Sequence, residues 1–251
     1  MSSRLPIVAL LCLLTPAAGK ATILDSVTTD QLADKATLIF EGTAVRVEYR
    51  NSDIESRDDV ALPHTFGTFR IDRLLKGASQ DGGEITLRFQ GGPDGEGNTM
   101  MIPGIPLFDV GEEVVLFVRG NGTEMCPVVG WEQGRFRLVD NAVLTEQGEE
   151  IWMDSKGRML IGPYEPAPEV VMNRIGDSIV EFETVDASPA PSMPKDAHKM
   201  DVSSFRSYVS TLIARAGRTA GVRVPVIEKS ARLADRFHTP NIRAAGPPVT
   251  P

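Results

Sequence analysis

The residues best suited to chemistry cluster around one cysteine. Cys126 lies in GNGTEMCPVVGWEQGRF (residues 120–136), between Glu124 on one side and Trp131 and Glu132 on the other. A thiol acts as a nucleophile when a nearby base, usually a histidine, holds it as the thiolate. This arrangement raises a thiol- or carboxylate-dependent hydrolase as one hypothesis for the function.

The supply of bases is small, because the chain contains only three histidines. His64 opens a predicted strand and could approach Cys126 in the fold, whereas His198 and His238 lie in a polar segment and in the C-terminal tail. Cys126 itself opens the run CPVVGW, and a free cysteine in an apolar run is typically a small buried hydrophobe. We predict that Cys126 is structural and that the chain has no catalytic residue, with a reactive thiol at Cys126 as the alternative.

Metal and cofactor motifs are incomplete in this sequence. Asp94, Glu96 and Asn98 alternate like the first ligands of a calcium loop. The sixth and twelfth positions are Thr99 and Ile105, where such a loop needs glycine and glutamate. The sequence also lacks the H-E-x-x-H zinc motif, the G-x-S-x-G elbow and the phosphate-binding loop. We therefore predict neither a metal nor a cofactor.

Trp131, Glu132 and Arg88 are the candidate residues for binding a ligand or a partner. Trp131 alternates with Val129 in the predicted strand CPVVGW, which favours a buried indole over an exposed platform for a ligand. Glu132 follows it directly. Arg88 lies on the polar face of the predicted strand EITLRFQ.

The spacing of apolar residues predicts a series of short β-strands. EITLRFQ alternates strictly, and EEVVLFVR is apolar in both phases, which is typical of a strand buried on both faces. TLIFEGTAVRVEYR changes phase near Gly42, which predicts a bulge or a bend at that glycine. Further strands follow after turns at Gln133-Gly134 and Asp140-Asn141. The predicted fold is mainly β, an OB-like antiparallel β-barrel or meander with a short N-terminal helix at residues 29–36 and one C-terminal amphipathic helix.

The N-terminal residues predict export. MSSRLPIVALLCLLTPAAGKA combines a positive Arg4, a short apolar run and small residues, which are the three parts of a secretory signal peptide. Loss of residues 1–21 removes Cys12 and leaves Cys126 without a disulfide partner. A single cysteine in an exported chain favours a periplasmic or secreted bacterial protein. The formal charge of -8 argues against a nucleic-acid partner, and we predict no transmembrane segment in the mature chain.

Composition divides the chain into five segments. These are a signal peptide (1–21), a β-barrel domain (22–162), a linker rich in Pro, Ala and Ser (163–200), an amphipathic helix (201–217) and a disordered basic tail (218–251). The helix DVSSFRSYVSTLIARAG has Asp201 as its predicted N-cap and carries one apolar stripe. That stripe is expected to pack on the barrel, with docking of a partner as the alternative.

Several of these runs resemble known families. A short helix followed by LIFEGTAVRV, FGTFRIDRLLKG and ITLRF resembles the start of netrin-like modules, the OB-type barrel found in tissue inhibitors of metalloproteinases. The longer run from LIFEG to CPVVGWEQGRFRL resembles a group of exported bacterial proteins that carry no assigned activity. The resemblance covers about residues 22–140 and implies a barrel.

One departure limits what the resemblance implies about function. Inhibitors of that family use an N-terminal cysteine to reach the zinc of the protease, whereas the predicted mature start, Lys20 or Thr22, has no cysteine near it. We therefore predict an exported, non-enzymatic binding module of the bacterial envelope. Its expected partner is another envelope or secreted protein, with an accessory or inhibitory role toward a protease as one form. The alternatives are an envelope hydrolase that uses Cys126 and an assembly subunit that docks through the helix at 201–217.

Overall fold

The computed structural model describes most of the central part of the chain. The described residues are 26–52, 61–78, 83–121, 124–162, 170–175, 178–183, 193–216 and 237–238. The predicted signal peptide lies outside these ranges, and so does the predicted tail apart from its residues 237–238. Among the described residues, no helix has the length and the apolar character that a membrane span needs.

Two helices, a single turn of 3-10 helix and fourteen strands make up the described structure. In chain order they are α1 (Thr29–Lys35), β1 (Leu38–Ser52), β2 (Pro63–Lys76), β3 (Glu84–Gln90), β4 (Gly92–Pro93), β5 (Thr99–Met100), β6 (Glu113–Val118), the 3-10 helix (Trp131–Gly134), β7 (Arg135–Val139), β8 (Ala142–Leu144), β9 (Ile151–Met153), β10 (Met159–Ile161), β11 (Val170–Ile175), β12 (Ser178–Glu183), β13 (His198–Lys199), α2 (Val202–Ala216) and β14 (Phe237–His238).

The main sheet has the order β3-β2-β1-β6-β7-β8, and every neighbouring pair is antiparallel. Strand β14 adds to the end of β1. This confirms the prediction of a mainly β, antiparallel fold with a short helix near the N-terminus and an amphipathic helix toward the C-terminus. The sheet is not closed, because its outermost strands, β3 and β8, do not pair with each other in the described structure. It is an open sheet rather than a complete barrel.

Strand β1 is the central element, and it bends. Its first half lies between β6 and β2, whereas beyond Thr43 it pairs with β2 alone until β14 joins at Asn51. The pairing with β2 shifts register between Glu41 and Gly42, as the sequence predicts, and also at two neighbouring places. A Cβ at Gly42 would collide with the carbonyl oxygen of Arg70. Glycine therefore lets β2 approach β1 closely at the bend.

The sheet buries both of its faces. Strand β6 shows this most clearly, because Val115 and Phe117 face one cluster while Val114, Leu116 and Val118 face the other. The helix-side core contains Leu32, Ala33, Ala36, Ile39, Val115, Phe117, Val129, Phe136, Leu138, Val143, Ile151, Met200, Val202, Phe205, Val209 and Leu212. The loop-side core contains Leu38, Phe40, Ala44, Phe69, Ile85, Leu87, Phe89, Phe108, Val114, Leu116, Val118, Cys126 and Val128.

Both helices pack on the helix-side core. Helix α1 begins with a complete capping box, in which the Thr28 hydroxyl accepts from the Gln31 N–H and the Gln31 side chain accepts from the Thr28 N–H. Asp201 caps the start of helix α2, and its carboxylate accepts the Ser204 N–H at 2.7 Å. Its predicted apolar stripe lies against the sheet, and Arg206 from the same helix donates to Glu41 of β1 at 2.6 Å. Packing and an ion pair both attach α2 to the sheet.

The segment predicted as a linker contains regular structure. Strands β11 and β12 form an antiparallel hairpin, and β13 pairs with β9. Met200, at 3 % exposure, belongs to the helix-side core. The many Pro, Ala and Ser residues between 163 and 200 concealed two short apolar runs, VVMNRI and SIVEFE. The folded unit thus continues past 162 and includes α2.

The segment CPVVGW is not a strand, and Gln133-Gly134 is not a hairpin turn. Val128 makes only an isolated bridge with Val118. The chain then turns through Gly130 (φ +65°) and Trp131 (φ +58°) into the 3-10 helix. Left-handed backbone conformations end strand pairing, which the alternation of Val129 and Trp131 could not reveal. The predicted turn at Asp140-Asn141 is present, and both of its residues have positive φ.

The outer edge of β3 is capped by a side chain. Asn121 accepts the Arg88 N–H at 3.0 Å and donates to the Thr86 carbonyl at 2.8 Å, which reproduces the pairing of a neighbouring strand. The main-chain carbonyl of Met125 accepts the Gln90 N–H at 2.8 Å. Capping an edge in this way prevents it from pairing with another chain. Asn121 is 7 % exposed, so this capping side chain is buried.

Replacing Asn121 with alanine should destabilise the fold and promote association. The two main-chain groups lose their partner at a buried edge, and a lost buried hydrogen bond costs about 1–3 kcal/mol. Urea unfolding followed by circular dichroism measures the loss, and light scattering measures the association. Asn98→Ala is the matched control, because that amide donates only to Asp94 within an exposed loop. Equal stability of the two variants would contradict the capping role.

Candidate functional site

Cys126 lies inside the loop-side core at 2 % exposure. Burial raises the pKa of its thiol to about 12, an effect that the Val128 N–H and the charge of Arg119 only partly offset. The thiol is therefore protonated at neutral pH. His64 contacts the Leu62 carbonyl and feels the positive charge of Arg88. A protonated, buried thiol does not have the thiolate character that a nucleophile needs.

His64 is a buried, neutral histidine. Its Nδ1–H donates to the Leu62 carbonyl at 2.8 Å. Burial, followed by the positive charge of Arg88, lowers its pKa to about 4. The imidazole can therefore accept a proton only at a pH well below neutral.

Acidification should lower the free energy of unfolding through the protonation of His64. A histidine whose pKa falls from about 6.5 in the unfolded chain to about 4 in the folded one stabilises the fold above the higher value. That contribution is lost as the pH falls toward the lower value, up to about 3 kcal/mol in total. Unfolding free energies of wild type and His64→Gln between pH 7 and 4 measure it as a difference. A wild-type curve parallel to that of the variant would contradict this prediction.

Arg88 is buried, although it lies on the polar face that the sequence assigned to it. It is 6 % exposed, and its Nη2 donates to the Glu124 carbonyl at 2.6 Å. With Asn121 bound to its main-chain N–H, Arg88 fastens the loop after β6 to β3. Its described contacts do not join those of Trp131 and Glu132.

Trp131 and Glu132 form a half-buried pair on the 3-10 helix. The indole of Trp131 packs against the loop-side core while the main chain holds a left-handed φ of +58°. Such a conformation costs a residue with a bulky side chain of order 1–3 kcal/mol and is most often found at functional sites. The prediction that Trp131 contacts the core is thus correct in part, because its ring is also partly open to solvent.

The helix that carries these two residues is held from both sides. The Glu132 N–H donates to the Gly104 carbonyl at 2.9 Å, and the Gln133 side chain accepts the Val27 N–H at 2.8 Å. A Cβ at Gly134 would collide with the carbonyl oxygen of Val129, so the chain is also tightly folded back on itself. These contacts preorganise the position of Trp131.

The surroundings of Glu132 compensate the negative charge of its carboxylate only weakly. Burial raises its pKa, and a hydrogen bond from the Gln147 amide only partly offsets the effect. Within the described part of the chain Glu132 makes no ion pair. A half-buried negative charge next to an exposed aromatic edge is chemically suited to a cationic or hydrogen-bond-donating group of a partner.

Beside this pair lies a charge network that the sequence did not reveal. Arg135, at 2 % side-chain exposure, donates to Glu112 at 2.6 Å and also pairs with Glu146. Its guanidinium stands 4.5 Å from the ring centroid of Phe108, and Arg137 donates to Glu112 at 2.9 Å. Arginine at alternate positions of RFRLV was the available signal, because both side chains must share one face of β7.

The network fastens the loop before β6 to the sheet. Burial raises the pKa of Glu146, outweighing the nearby charge of Arg135. Glu112 accepts the Asp109 N–H at 3.1 Å, so one carboxylate ties the loop to both arginines. The effect of this arrangement is to attach the loops that carry Glu112 and Glu146 to β7.

The other cleft and the acidic loop are weaker candidates for a functional site. A small cleft, open to solvent, lies between β3 and the loop at 100–107, and it is far below the usual size of a ligand pocket. Asp94 folds its own loop by accepting the N–H groups of Glu96 and Asn98. The described residues include no group of His, Cys, Asp or Glu that could hold a metal ion.

No protein-family model matches the chain, and no curated protein shows significant similarity to it.

Proposed function

We propose that this chain is an exported, non-enzymatic binding module of the bacterial envelope, and that it holds a partner protein through the surface around Trp131 and Glu132. The observation that carries the proposal is the half-exposed Trp131, fixed in a left-handed conformation on a braced 3-10 helix. Tryptophan is the residue most enriched among those that dominate binding energy at protein interfaces. A prefixed side chain also loses less conformational entropy when it binds.

The surroundings of Trp131 support a protein partner over a small molecule. The described cleft nearest to this loop is small and open, whereas the Trp131 indole and the Glu132 carboxylate are both partly exposed and together combine an apolar and an acidic surface. Such a patch suits a basic or amide-bearing side chain on a partner surface. An exported protease is one class of partner that the netrin-like resemblance implies.

The two alternative functions have weaker support. A thiol-dependent hydrolase requires a reactive Cys126, and burial keeps that thiol protonated. An assembly subunit that docks through the helix at 201–217 requires a free apolar stripe, but Val202, Phe205, Val209 and Leu212 are buried in the helix-side core. The binding-module proposal uses surface that the fold leaves accessible.

A photo-crosslinker in place of the exposed Gln147 tests the proposal in the source bacterium. Under irradiation, the tagged chain should form a discrete adduct in the exported fraction. Adding Trp131→Ala should reduce the adduct at least about tenfold, because losing an interface tryptophan commonly costs more than 1.4 kcal/mol. Mass spectrometry of the adduct identifies the partner.

The second tryptophan provides the matched control. Trp152→Ala removes a half-buried indole that contacts Lys199, away from the 3-10 helix, and should leave the adduct unchanged. Both variants are first checked for a native thermal unfolding transition. An unchanged yield with folded Trp131→Ala, or no leader-dependent export of the chain, would overturn the proposal.

A further inference from the structure

Three aromatic rings of the described chain hold a cation that also pairs with a glutamate. The cations lie 5.0, 4.5 and 5.6 Å from the ring centroids. In each case the ring face and the carboxylate attract the same positive group. The three sets are Phe66 with Arg50 and Glu48, Phe108 with Arg135 and Glu112, and Trp152 with Lys199 and Glu150.

Trp131 and Glu132 bring a ring and a carboxylate together without such a cation. In the described part of the chain, neither residue takes part in a cation–aromatic contact or an ion pair. The Gln147 amide donates to the Glu132 carboxylate, and both Trp131 and Glu132 are partly exposed. A cation from a partner would complete the arrangement that the other three rings show.

The two arginines that follow the 3-10 helix are already paired elsewhere. Arg135 bonds to Glu112 and Glu146, and Arg137 bonds to Glu112. The Arg135 side chain is only 2 % exposed, so it could turn toward Glu132 only by leaving two carboxylates. These arginines therefore do not supply the cation that Glu132 lacks.

The other described elements around Glu132 are neutral or acidic. The loop at 101–107, whose main chain accepts the Glu132 N–H, has no ionisable side chain. The turn that carries Gln147 contributes two further carboxyls, of which Glu146 pairs with an arginine of β7 and Glu149 accepts from a threonine hydroxyl. Such surroundings favour a positively charged group on the partner.

We propose, building on the proposed function, that the partner places an arginine side chain against Trp131 and Glu132, and that a proton competes with this arginine for the carboxylate. A planar guanidinium can lie on an indole face and donate to a carboxylate with its N–H groups, which the compact ammonium of lysine does less well. A neutral Glu132 no longer attracts the arginine electrostatically. Acid pH therefore weakens the complex.

The proton affinity of Glu132 determines where this weakening begins. Burial raises the pKa of its carboxyl, so protonation begins at a higher pH than for an unperturbed glutamate, whose pKa is about 4.3. An arginine in contact favours the ionised form and lowers the pKa in the complex. The affinity is therefore full above the pKa of the free chain and falls as the pH drops through that value.

The indole signal of Trp131 tests the proposal without the partner. The chain has two tryptophans, so in a Trp152→Phe chain with isotope-labelled tryptophan the remaining indole N–H signal belongs to Trp131. At pH 7 and constant ionic strength, N-acetylarginine amide should shift this signal saturably. N-acetylcitrulline amide, a neutral analogue of similar shape, should bind at least about tenfold more weakly.

Two glutamine substitutions provide the variant and its matched control. Glu132→Gln should remove the difference between the two probes. Glu113→Gln removes the same charge from the other side of the sheet, where Glu113 acts on Arg70 and Arg206, and should retain the difference. In the chain with Glu132, the dissociation constant for N-acetylarginine amide should rise along the titration curve of the free Glu132 carboxyl, followed by carbon NMR.

Three results would overturn the proposal. They are equal binding of the two probes, binding of neither, and a Glu132 carboxyl in the free chain that titrates below the usual glutamate range because a cation of the same chain already pairs with it. If the arginine probe fails while the Trp131-dependent adduct still forms, the proposed function stands without the arginine. Loss of the adduct with arginine binding retained would count against the proposed function instead.

Discussion

Replacing Arg135 with methionine should lower the free energy of unfolding by about 3–5 kcal/mol. Methionine retains much of the volume, and so the loss is electrostatic. Arg135 is the common partner of Glu112 and Glu146, and both carboxylates are largely shielded from solvent. Removing Arg135 takes the described ion partner of Glu146 away and leaves Glu112 paired with Arg137 alone. The measurement is urea unfolding at pH 7, followed by circular dichroism.

Arg137→Met is the control for this prediction. It also removes a bond to Glu112, but the Arg137 side chain is 34 % exposed, and exposed ion pairs contribute about 1 kcal/mol or less. The two variants should therefore differ severalfold although both lie on β7. If Arg135→Met costs no more than Arg137→Met, the network does not hold the loop to the sheet.

The sequence predicts the parts of this site that local patterns determine. The proximity of Trp131 and Glu132 follows from the chain itself, and the burial of Cys126 follows from its apolar run. The partners of Arg135 do not follow, because Glu112 and Glu146 come from loops on either side of β7 and meet it only in the folded sheet. The left-handed φ of Trp131 was equally hidden, since no glycine or asparagine at that position signals it.

The same distinction applies to the fold. Strands with clean alternation, such as β3 and β6, and the capping box of α1 are predictable because their signal is periodic or local. The bend of β1 at Gly42 is predictable because glycine marks it. Composition does not show which segments contact the core. The many prolines between 163 and 200 predict a linker, yet Met200 and α2 complete the helix-side core.

Phe205→Ala should destabilise the whole sheet by about 3–5 kcal/mol. Phe205 is fully buried, and its ring lies 4.8 Å from that of Phe136, which in turn contacts Phe117 of β6 at 5.7 Å. Alanine would leave a cavity at the α2 end of this row, so that unfolding should stay a single transition with a lower midpoint. Calorimetry measures the midpoint and tests whether the sheet and α2 unfold together.

Ser210→Ala on the exposed side of α2 separates this effect from helix propensity. Its hydroxyl donates to the Arg206 carbonyl within the helix, and alanine is the better helix former, so the variant should be as stable as wild type or slightly more so. If α2 were an appended helix reserved for a partner, Phe205→Ala would leave the main transition unchanged and would instead abolish binding. A lowered transition with the Trp131-dependent adduct retained at low temperature would show that the helix stabilises the module and that the binding surface lies elsewhere.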